Sequence, residues 1–458
     1  MKQNTGGYIQ FKKTTLCSVI IFGLILGLFA PAASPVSAAP AMVKCRVETD
    51  RAVLPAGGPQ NVVIKITLDA PRAPAEALRP MVNVALVLDR SGSMNGTKMR
   101  MAKEAATEAL TRLGRDDVFS LVVYDTHVDT IVPAQKVRDI NAIIRTIRQI
   151  RSGGSTALFG GVSQGAAEIR KHIEDEYVHR VVLLSDGLAN VGPSLPGDLG
   201  RLGAGLFKEN ISVTTVGVGT DYNEDLMAQL AQKSDGNTYF VESGVDLPRI
   251  FAAELGEVLN VVAKQVTITV TLPGGVEPVD IIGREGRIKG NKVELSMNQL
   301  YGGQEKYALI EVRLPAAEPG SALKVARADV AYQDAYAGTD MTATGIATAK
   351  FSSDPDKVSA STNLDVVRDY QLNLNALAQE KAIELSDQGN PKAAAAALRK
   401  SAEKLKEYGG RYQDEQLMEE AQAVEIQADS LETEGMSKKS RKELRTKSYQ
   451  MKNQQMSQ

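Results

Sequence analysis

The sequence contains few histidines and lacks the motifs of several common hydrolase classes. Only three histidines, His127, His172 and His179, occur in 458 residues, and none lies in H-E-x-x-H or another zinc-binding spacing. A serine triad can be assembled on paper from Ser185, His179 and Asp125, but no G-x-S-x-G motif supports it. We therefore expect a protein that is not an enzyme, and a hydrolase is the weakest of the alternatives.

Cysteines and long apolar runs are also scarce. The chain has two cysteines, and Cys17 lies in an amino-terminal segment that we expect to be removed. Cys45 would then be the one thiol of the mature chain, which excludes an intrachain disulfide. No second apolar segment approaches the roughly 20 residues that a membrane-spanning helix needs. This absence argues against an integral channel.

Residues 1–38 have the pattern of a secretory signal peptide. Lys12 and Lys13 precede an apolar run over residues 16–30, and the Val-Ser-Ala sequence at 36–38 offers small residues for cleavage. An uncleaved membrane anchor is the alternative, although the run is short for spanning a bilayer. We expect export to the extracellular space, or to the periplasm and cell envelope.

The overall composition is that of a soluble globular protein, with 43% hydrophobic and 24% charged residues. Removal of residues 1–38 takes away three lysines and leaves 50 basic and 55 acidic residues, a net charge of −5. This balance gives no reason to expect a nucleic-acid partner.

The most informative stretch is MVNVALVLDRSGSM, residues 81–94. Residues 81–88 are apolar apart from Asn83, which predicts a strand buried on both faces. The strand ends at Asp89, Ser91 and Ser93, a set of hard oxygen donors that suits Mg²⁺ or Mn²⁺. Open α/β sheets bind ligands beyond the carboxyl ends of their strands. A divalent cation site is therefore predicted at this strand end.

This D-x-S-G-S segment resembles the metal-ion-dependent adhesion site of von Willebrand factor type A (VWA) domains. Two later stretches match the same family in the expected order: GGSTALFGGV supplies Thr156, and VVLLSDGLANVG supplies Asp186. The resemblance implies that Ser91, Ser93 and Thr156 contact the metal directly or nearly so. It also implies that Asp89 and Asp186 hold the ion partly through water. The expected ion is Mg²⁺, with Mn²⁺ or Ca²⁺ as alternatives, and a partner's carboxylate would complete its coordination.

A simpler interpretation of the same residues is structural, with Ser91 and Ser93 capping a helix and Asp186 beginning a turn. It does not explain why the three loops fall on one edge of the sheet. The family resemblance further implies that Asp221, Glu224 and Asp225 shape the rim of the metal face. We include Asp125 in this ligand-binding rim.

The remaining pattern predicts a multidomain protein. Residues 81–262 alternate strands and helices, which indicates a doubly wound, Rossmann-like α/β domain with one antiparallel edge strand. Residues 263–352 alternate with period two, as in an antiparallel β-sandwich. Strands within residues 39–80 are expected to pair with this later β-domain, so that the α/β domain is inserted in it. Residues 353–436 are predicted to be helical.

Residues 437–458 carry seven Lys or Arg and one Glu, a local charge of +6. One interpretation of this basic tail is attraction to an anionic surface such as lipid headgroups. The other is a solvated, partly disordered terminus.

Together these features predict an exported binding protein, in which the cation captures an Asp or Glu of a protein partner. The alternative is a structural or regulatory subunit of a cell-envelope complex. Chloride-channel-like labels occur among relatives of this type, although this chain has no pore-forming segment.

Overall fold

The computed structural model describes residues 42–74 and 79–455, which lie within one structural unit, Ala41–Gln458. The predicted signal peptide, residues 1–38, lies outside the described residues. Over the described ranges, no helix combines the length and the hydrophobicity needed to cross a membrane.

The first strands of the chain belong to a β-domain that is completed only after the α/β domain. They are β1 (Lys44–Thr49), β2 (Val53–Pro55) and β3 (Gln60–Asp69). The alternation in residues 62–68 predicts a half-buried strand, but the structure buries both faces of β3.

The α/β domain follows, and its sheet has the predicted doubly wound form. Five strands are parallel, and the edge strand formed by the predicted hairpin is antiparallel. Helices cover both faces of the sheet, and a separate apolar core lies between the sheet and the helices on each face. In chain order the elements are β4 (Met81–Asp89), α1 (Thr97–Thr111), β5 (Val118–Tyr124), β6 (Val128–Lys136), α2 (Ile140–Arg148), α3 (Leu158–Arg170), β7 (Tyr177–Ser185), α4 (Pro196–Lys208), β8 (Ile211–Val218), α5 (Glu224–Lys233), β9 (Thr238–Val241) and α6 (Leu247–Val258).

The strand order β6-β5-β4-β7-β8-β9 puts β4 and β7 beside each other at the centre of the sheet. Both strands are almost wholly buried, as their continuous apolar runs predict. The segments that follow their carboxyl ends therefore lie next to each other. These segments contain the D-x-S-G-S motif and Asp186.

Helix α2 is shorter than its isoleucine stripe predicts. The stripe indicates a helix over residues 137–150, whereas the structure forms one over Ile140–Arg148. The Asp139 carboxylate accepts a hydrogen bond from the Ala142 N–H at 2.9 Å and so caps the helix at its amino end. Ile143 and Ile147 are buried against the core as expected.

The β-domain consists of two packed sheets, and their strands come from the segments before and after the inserted α/β domain. One sheet has the order β1-β3-β14-β11, and the other β12-β13-β10-β15-β16-β2. β3 pairs antiparallel with β14 over ten residues, so the two early strands β1 and β3 form one sheet with the two late strands β14 and β11. The later strands are β10 (Val261–Thr271), β11 (Glu277–Ile282), β12 (Arg287–Lys289), β13 (Lys292–Tyr301), β14 (Glu305–Leu314), β15 (Ala322–Asp334) and β16 (Asp340–Ser352).

The carboxyl-terminal region is helical, as predicted, and it packs on both other domains. Asn390 caps its third helix through the Ala393 N–H, with Pro391 in the first helical position. Lys65 of β3, whose side chain is 5% exposed, pairs with Asp369 at 2.5 Å, which shows why the outer face of β3 is buried. The helices are α7 (Pro355–Ala360), α8 (Leu364–Asp387), α9 (Pro391–Tyr412), α10 (Glu415–Glu434) and α11 (Lys438–Asn453).

Helix α11 shows that the basic tail is folded onto the rest of the protein. Its Tyr449 is 2% exposed and donates a hydrogen bond to the carbonyl of Gly236 at 2.6 Å. Gln450 and Gln455 hydrogen-bond the N–H and C=O of Thr238 and thereby satisfy the first residue of the edge strand β9. The segment is thus a docked helix over residues 438–453, and the prediction of a solvated, partly disordered terminus is wrong there.

The cations of α11 are paired with carboxylates of the α/β domain and of α8. Arg441 contacts Glu224, Asp225 and Asp387 at 2.5, 2.6 and 2.7 Å. Lys442 contacts Glu224 at 2.8 Å. Because much of this charge is neutralised inside the protein, the tail offers little of the local charge of +6 to an anionic surface.

Candidate metal centre

Asp89 lies at the carboxyl end of β4 and is fully buried. Its Oδ1 accepts a hydrogen bond from the Ser91 N–H at 2.8 Å, and its Oδ2 accepts one from the Ser185 hydroxyl at 2.8 Å. Burial raises the pKa of the Asp89 carboxyl, because the charged form loses its hydration. Both carboxylate oxygens are therefore oriented by hydrogen bonds in a site that is buried away from water.

The two serines of the motif are linked to the second carboxylate, that of Asp186. The hydroxyls of Ser91 and Ser93 lie 3.1 Å apart, and Ser93 donates to Asp186 Oδ1 at 2.6 Å. Asp186 is 0% exposed. A continuous line of oxygens thus runs from one buried carboxylate to the other.

Neither serine caps a helix, so the simpler structural interpretation is wrong for this pair. The amino-terminal cap of α1 is Gly96, and the short 3₁₀ turn at Gly92–Met94 receives no side-chain cap from Ser91. Met94 is fully buried and anchors the turn beneath the site.

Thr156 is brought to the same place by a loop that requires glycine. Gly154 has a φ of +79°, and a Cβ there would lie 2.9 Å from the Thr126 hydroxyl, so no other residue fits without a shift. The Gly154 carbonyl accepts from the Gly92 N–H at 3.1 Å, which ties this loop to the D-x-S-G-S turn. The Thr156 N–H in turn donates to Asn190 Oδ1 at 2.8 Å.

The space between these groups is left open by Gly187. A Cβ on Gly187 would stand 3.4 Å from the Ser93 hydroxyl and 3.5 Å from the Thr156 hydroxyl. Both hydroxyls therefore face a cradle that a side chain at this position would narrow. The structure brings together all five predicted ligands: Asp89, Ser91, Ser93, Thr156 and Asp186.

The donor set fits a hard divalent cation. It comprises two buried carboxylates and three hydroxyls, and oxygen donors of this kind are the ones that Mg²⁺, Mn²⁺ and Ca²⁺ take. Over residues 42–74 and 79–455 there is no cluster of three His, Cys, Asp or Glu side chains that would hold a metal. An ion at this centre would thus depend on hydroxyls, on water and on ligands from outside the protein.

The predicted rim is only partly present. Asp125 adjoins the Thr156 loop but is engaged by Arg90 at 2.9 Å and by the His127 N–H at 2.7 Å. Asp221 is exposed and pairs with Lys438 at 2.9 Å. Glu224 is 7% exposed, because helix α11 of the basic tail covers it and pairs with its carboxylate. Glu224 therefore does not form part of an open rim.

The structure does not form the serine triad of Ser185, His179 and Asp125 that was considered from the sequence. Ser185 donates its hydroxyl to Asp89, and His179 lies six residues earlier in β7, about 20 Å away at the usual rise of a strand. Burial lowers the pKa of His179 to about 4, so this histidine is neutral near neutral pH.

Sequence reasoning missed two residues of the site. Ser185 orients the Asp89 carboxylate, whereas the sequence suggested Ser185 only as the nucleophile of a serine triad. Lys98 lies in the first turn of α1, and its Nζ contacts Asp186 Oδ2 at 2.6 Å. The one available signal for Lys98 is its position just after the D-x-S-G-S turn, where the helix begins.

Comparisons with known proteins agree with the fold of the α/β domain. The family model of the von Willebrand factor type A domain matches residues 83–253. The chain is 26% identical over 267 residues to the protein sll0103 of Synechocystis, covering 56% of this chain and 63% of that protein. It is similar to a solved von Willebrand factor type A structure from Catenulispora acidiphila, with a TM-score of 0.65, 19% identity and coverage of 82% and 89% of the two chains.

A second solved structure, the ArnB paralog VWA2 of Sulfolobus acidocaldarius, aligns with a TM-score of 0.60 at 16% identity and covers 90% of this chain and 98% of that one. At such identities the likeness concerns the fold. The chain spans about 63% of the length of the curated relative from Synechocystis and 40% of that of the Escherichia coli protein YfbK.

Proposed function

Because residues 83–253 of this chain form a von Willebrand factor type A domain, we propose that the protein is a metal-dependent binding protein without catalytic activity. A divalent cation held by Asp89, Ser91, Ser93, Thr156 and Asp186 captures an Asp or Glu carboxylate of a protein partner. VWA domains commonly bind protein partners, and they typically hold a divalent metal at this position in the fold. The identity of the ion, the acidic ligand and the location outside the cytoplasm are parts of the proposal.

The observation that carries the proposal is the continuous set of oxygens between two buried carboxylates. Asp89 and Asp186 are both 0% exposed, and Lys98 supplies only one positive charge for the two carboxylates, so a bound dication would compensate the buried negative charge that remains. Three of the five donors are neutral hydroxyls, which leaves a bound dication electrophilic. An anionic ligand from a partner therefore gains more at this centre than a neutral one.

The loops are also fixed before any partner arrives. The Gly92 N–H is bonded to the Gly154 carbonyl, and the Gly153 N–H is bonded to the Arg90 carbonyl at 2.8 Å. The Asn190 and Val191 N–H groups both donate to the Thr156 carbonyl, which joins the third loop to the other two. Preorganised ligands of this kind reduce the entropy lost on binding.

The alternative role is a structural or regulatory subunit of a cell-envelope complex. The contacts of α11 bear only on a membrane contact through the basic tail, because they place Arg441 and Lys442 against carboxylates of this same chain.

The proposal is tested by metal uptake and by its dependence on the hydroxyls. Isothermal calorimetry of the purified protein with Mg²⁺, Mn²⁺ and Ca²⁺ is expected to show one site, weakened at least tenfold in Ser93→Ala and Thr156→Ala. Ser152→Ala is the matched control, because this serine lies on the same loop as Thr156 but its hydroxyl bonds Asn95 rather than the site. It is expected to bind metal normally.

Partner capture supplies the second measurement. Pull-down from native extract in Mg²⁺ is expected to retain a protein that EDTA releases and that Asp89→Ala does not capture. If capture persists both in EDTA and with Asp89→Ala, the metal has no part in binding.

A further inference from the structure

Lys98 is built into the metal centre rather than placed beside it. Its Nζ lies 2.6 Å from Asp186 Oδ2, while Ser93 occupies the other oxygen of the same carboxylate. A Cβ on Gly219 would stand 3.6 Å from the same Nζ, so the ammonium lies between Asp186 and the loop that follows β8. Gly244 lies close to the Lys98 Cα and leaves room for the first turn of α1.

The ammonium is also open to solvent on one side. The Lys98 side chain is 32% exposed, whereas Asp186 is fully buried. A lysine ammonium has three N–H donors, and the contact with Asp186 uses one of them. The remaining donors are available to a group that approaches the centre from outside.

Lys98 changes the charge of the centre by one unit. Asp89 and Asp186 contribute −2 and Lys98 contributes +1, so a bound dication brings the total to +1. Arg90 adds no net positive charge to this count, because it is paired with two aspartates, Asp125 and Asp129. A single partner carboxylate then neutralises the centre. Without Lys98 the metal-loaded centre would already be neutral before the partner arrives.

We propose that Lys98 is a specificity-determining residue of this site, which makes the metal-loaded centre prefer a carboxylate over a neutral ligand. The inference rests on the proposed function. The positive charge of Lys98 has opposite effects on the affinity for the metal and on the affinity for the anionic ligand. The ammonium repels the metal and weakens its binding, and it attracts the anionic ligand and strengthens its binding.

The test separates these two effects with small probes. The Lys98→Met variant keeps the aliphatic part of the side chain and loses its charge. Mn²⁺ binding is measured from the concentration of free Mn²⁺ by electron paramagnetic resonance. The variant should bind Mn²⁺ about 5- to 10-fold more tightly than the wild type. Acetate is then titrated into the Mn²⁺-loaded protein, and displacement of metal-bound water is followed by water-proton relaxation. Acetate should bind about 3- to 10-fold more weakly to the variant.

Three controls accompany this experiment. Lys98→Arg keeps the positive charge and is expected to restore wild-type behaviour. Lys103→Met makes the same change on the same helix, where the lysine bonds the Arg148 carbonyl, and should leave both constants unchanged. Acetamide, the neutral counterpart of acetate, should bind weakly and equally to wild type and Lys98→Met. Circular dichroism at each step verifies that the variants are folded.

The outcomes distinguish this inference from the function on which it rests. Tighter Mn²⁺ together with weaker acetate supports the role of Lys98. If Mn²⁺ binds but Lys98→Met changes neither constant, or shifts both in the same direction, the role of Lys98 is refuted and the metal site stands. If neither protein takes up Mn²⁺, the proposed function itself fails.

Discussion

At the scale of single residues, the site is held by side chains that do not belong to its motif. Ser185 donates to a buried carboxylate oxygen of Asp89 from 96 positions away in the sequence. Such neighbours fix the orientation of metal ligands, and their loss typically reduces metal affinity 10- to 100-fold.

Ser185→Ala is expected to weaken Mg²⁺ binding by about 10-fold or more and to lower the free energy of unfolding by about 1–3 kcal/mol. The reason is that Asp89 Oδ2 would lose its partner in a buried site. Ser120→Ala is the matched control, because Ser120 is also a fully buried strand serine but its hydroxyl has no hydrogen-bond partner among the residues that the structure describes. Calorimetry and denaturant unfolding measure the two quantities. Equal effects of both substitutions would contradict the assignment.

A second residue-scale prediction concerns the buried acidic pair at the base of the α/β domain. Glu254 and Glu257 of α6 share the Asn237 amide as a donor, at 2.9 and 2.8 Å. Burial and the charge of Glu254 raise the pKa of Glu257 to about 7. The folded protein therefore holds a proton that the unfolded chain releases near pH 4.5.

The stability contributed by this proton is present at low pH and is lost as the pH rises through about 7. Glu257→Gln removes that dependence, so its free energy of unfolding should match the wild type near pH 4.5 and exceed it by on the order of 2 kcal/mol at pH 8. Urea unfolding at several pH values tests this. A difference that is independent of pH would exclude the titration of Glu257 as its cause. Glu104→Gln, on the exposed face of α1, should show no pH-dependent difference.

The sequence predicts different site residues on different grounds. Asp89, Ser91 and Ser93 are close in the chain, and their spacing at a strand end already indicates a cation site. Thr156 and Asp186 enter only through the family resemblance, since nothing local marks them as ligands. Lys98 and Ser185 act through contacts across 88 and 96 residues, which neither periodicity nor spacing reveals.

At the scale of elements, α11 is the feature that composition hides most completely. A run of Lys and Arg with one Glu looks like a solvated terminus when its partners are unknown. Most of its acidic partners lie on α5, α8 and the loops after β8 and β9, more than 50 residues earlier in the chain, and Glu420 on α10 pairs with Lys447 from 27 residues earlier. Helix-start signals in contrast are local, and Asn390 with Pro391 predicts the beginning of α9 correctly.

Arg441→Ala is expected to lower the free energy of unfolding by about 1–3 kcal/mol, because the buried carboxylate of Glu224 and the half-buried carboxylate of Asp225 would have fewer cationic partners. Arg399→Ala is the control, since this arginine also bridges two carboxylates but does so at the surface between α9 and α10. Its effect should be clearly smaller. Denaturant unfolding of both variants decides the matter, and equal losses would contradict the buried role of α11.

At the scale of the whole molecule, the α/β domain interrupts a β-domain whose strands come from both sides of it. Periodicity predicts the classes of the three regions, and the mostly parallel sheet follows from the alternation of strands and helices. The exact pairing of β3 between β1 and β14 does not follow from period two alone, because any of the later strands offers the same alternation.

Removal of residues 39–70 is expected to prevent the β-domain from folding, because β3 is a central strand and its loss exposes the core of the sandwich. A protein that begins at residue 39 is the matched control and retains β1, β2 and β3. Near- and far-ultraviolet circular dichroism, with size-exclusion chromatography, compares the two. A truncated protein that remains monomeric with full strand content would contradict the interleaved topology.

The short connection between α6 and β10 gives the protein a mechanical property. Two residues separate the end of the helix at Val258 from the strand that begins at Val261. Arg180 of β7 also reaches Gln299 and Tyr301 of β13, at 2.6 Å each, across the same boundary. If the cation holds a partner as proposed, a tensile force on that partner would pass from helix to strand without a flexible linker at this junction, and the β-domain would bear the load together with the α/β domain.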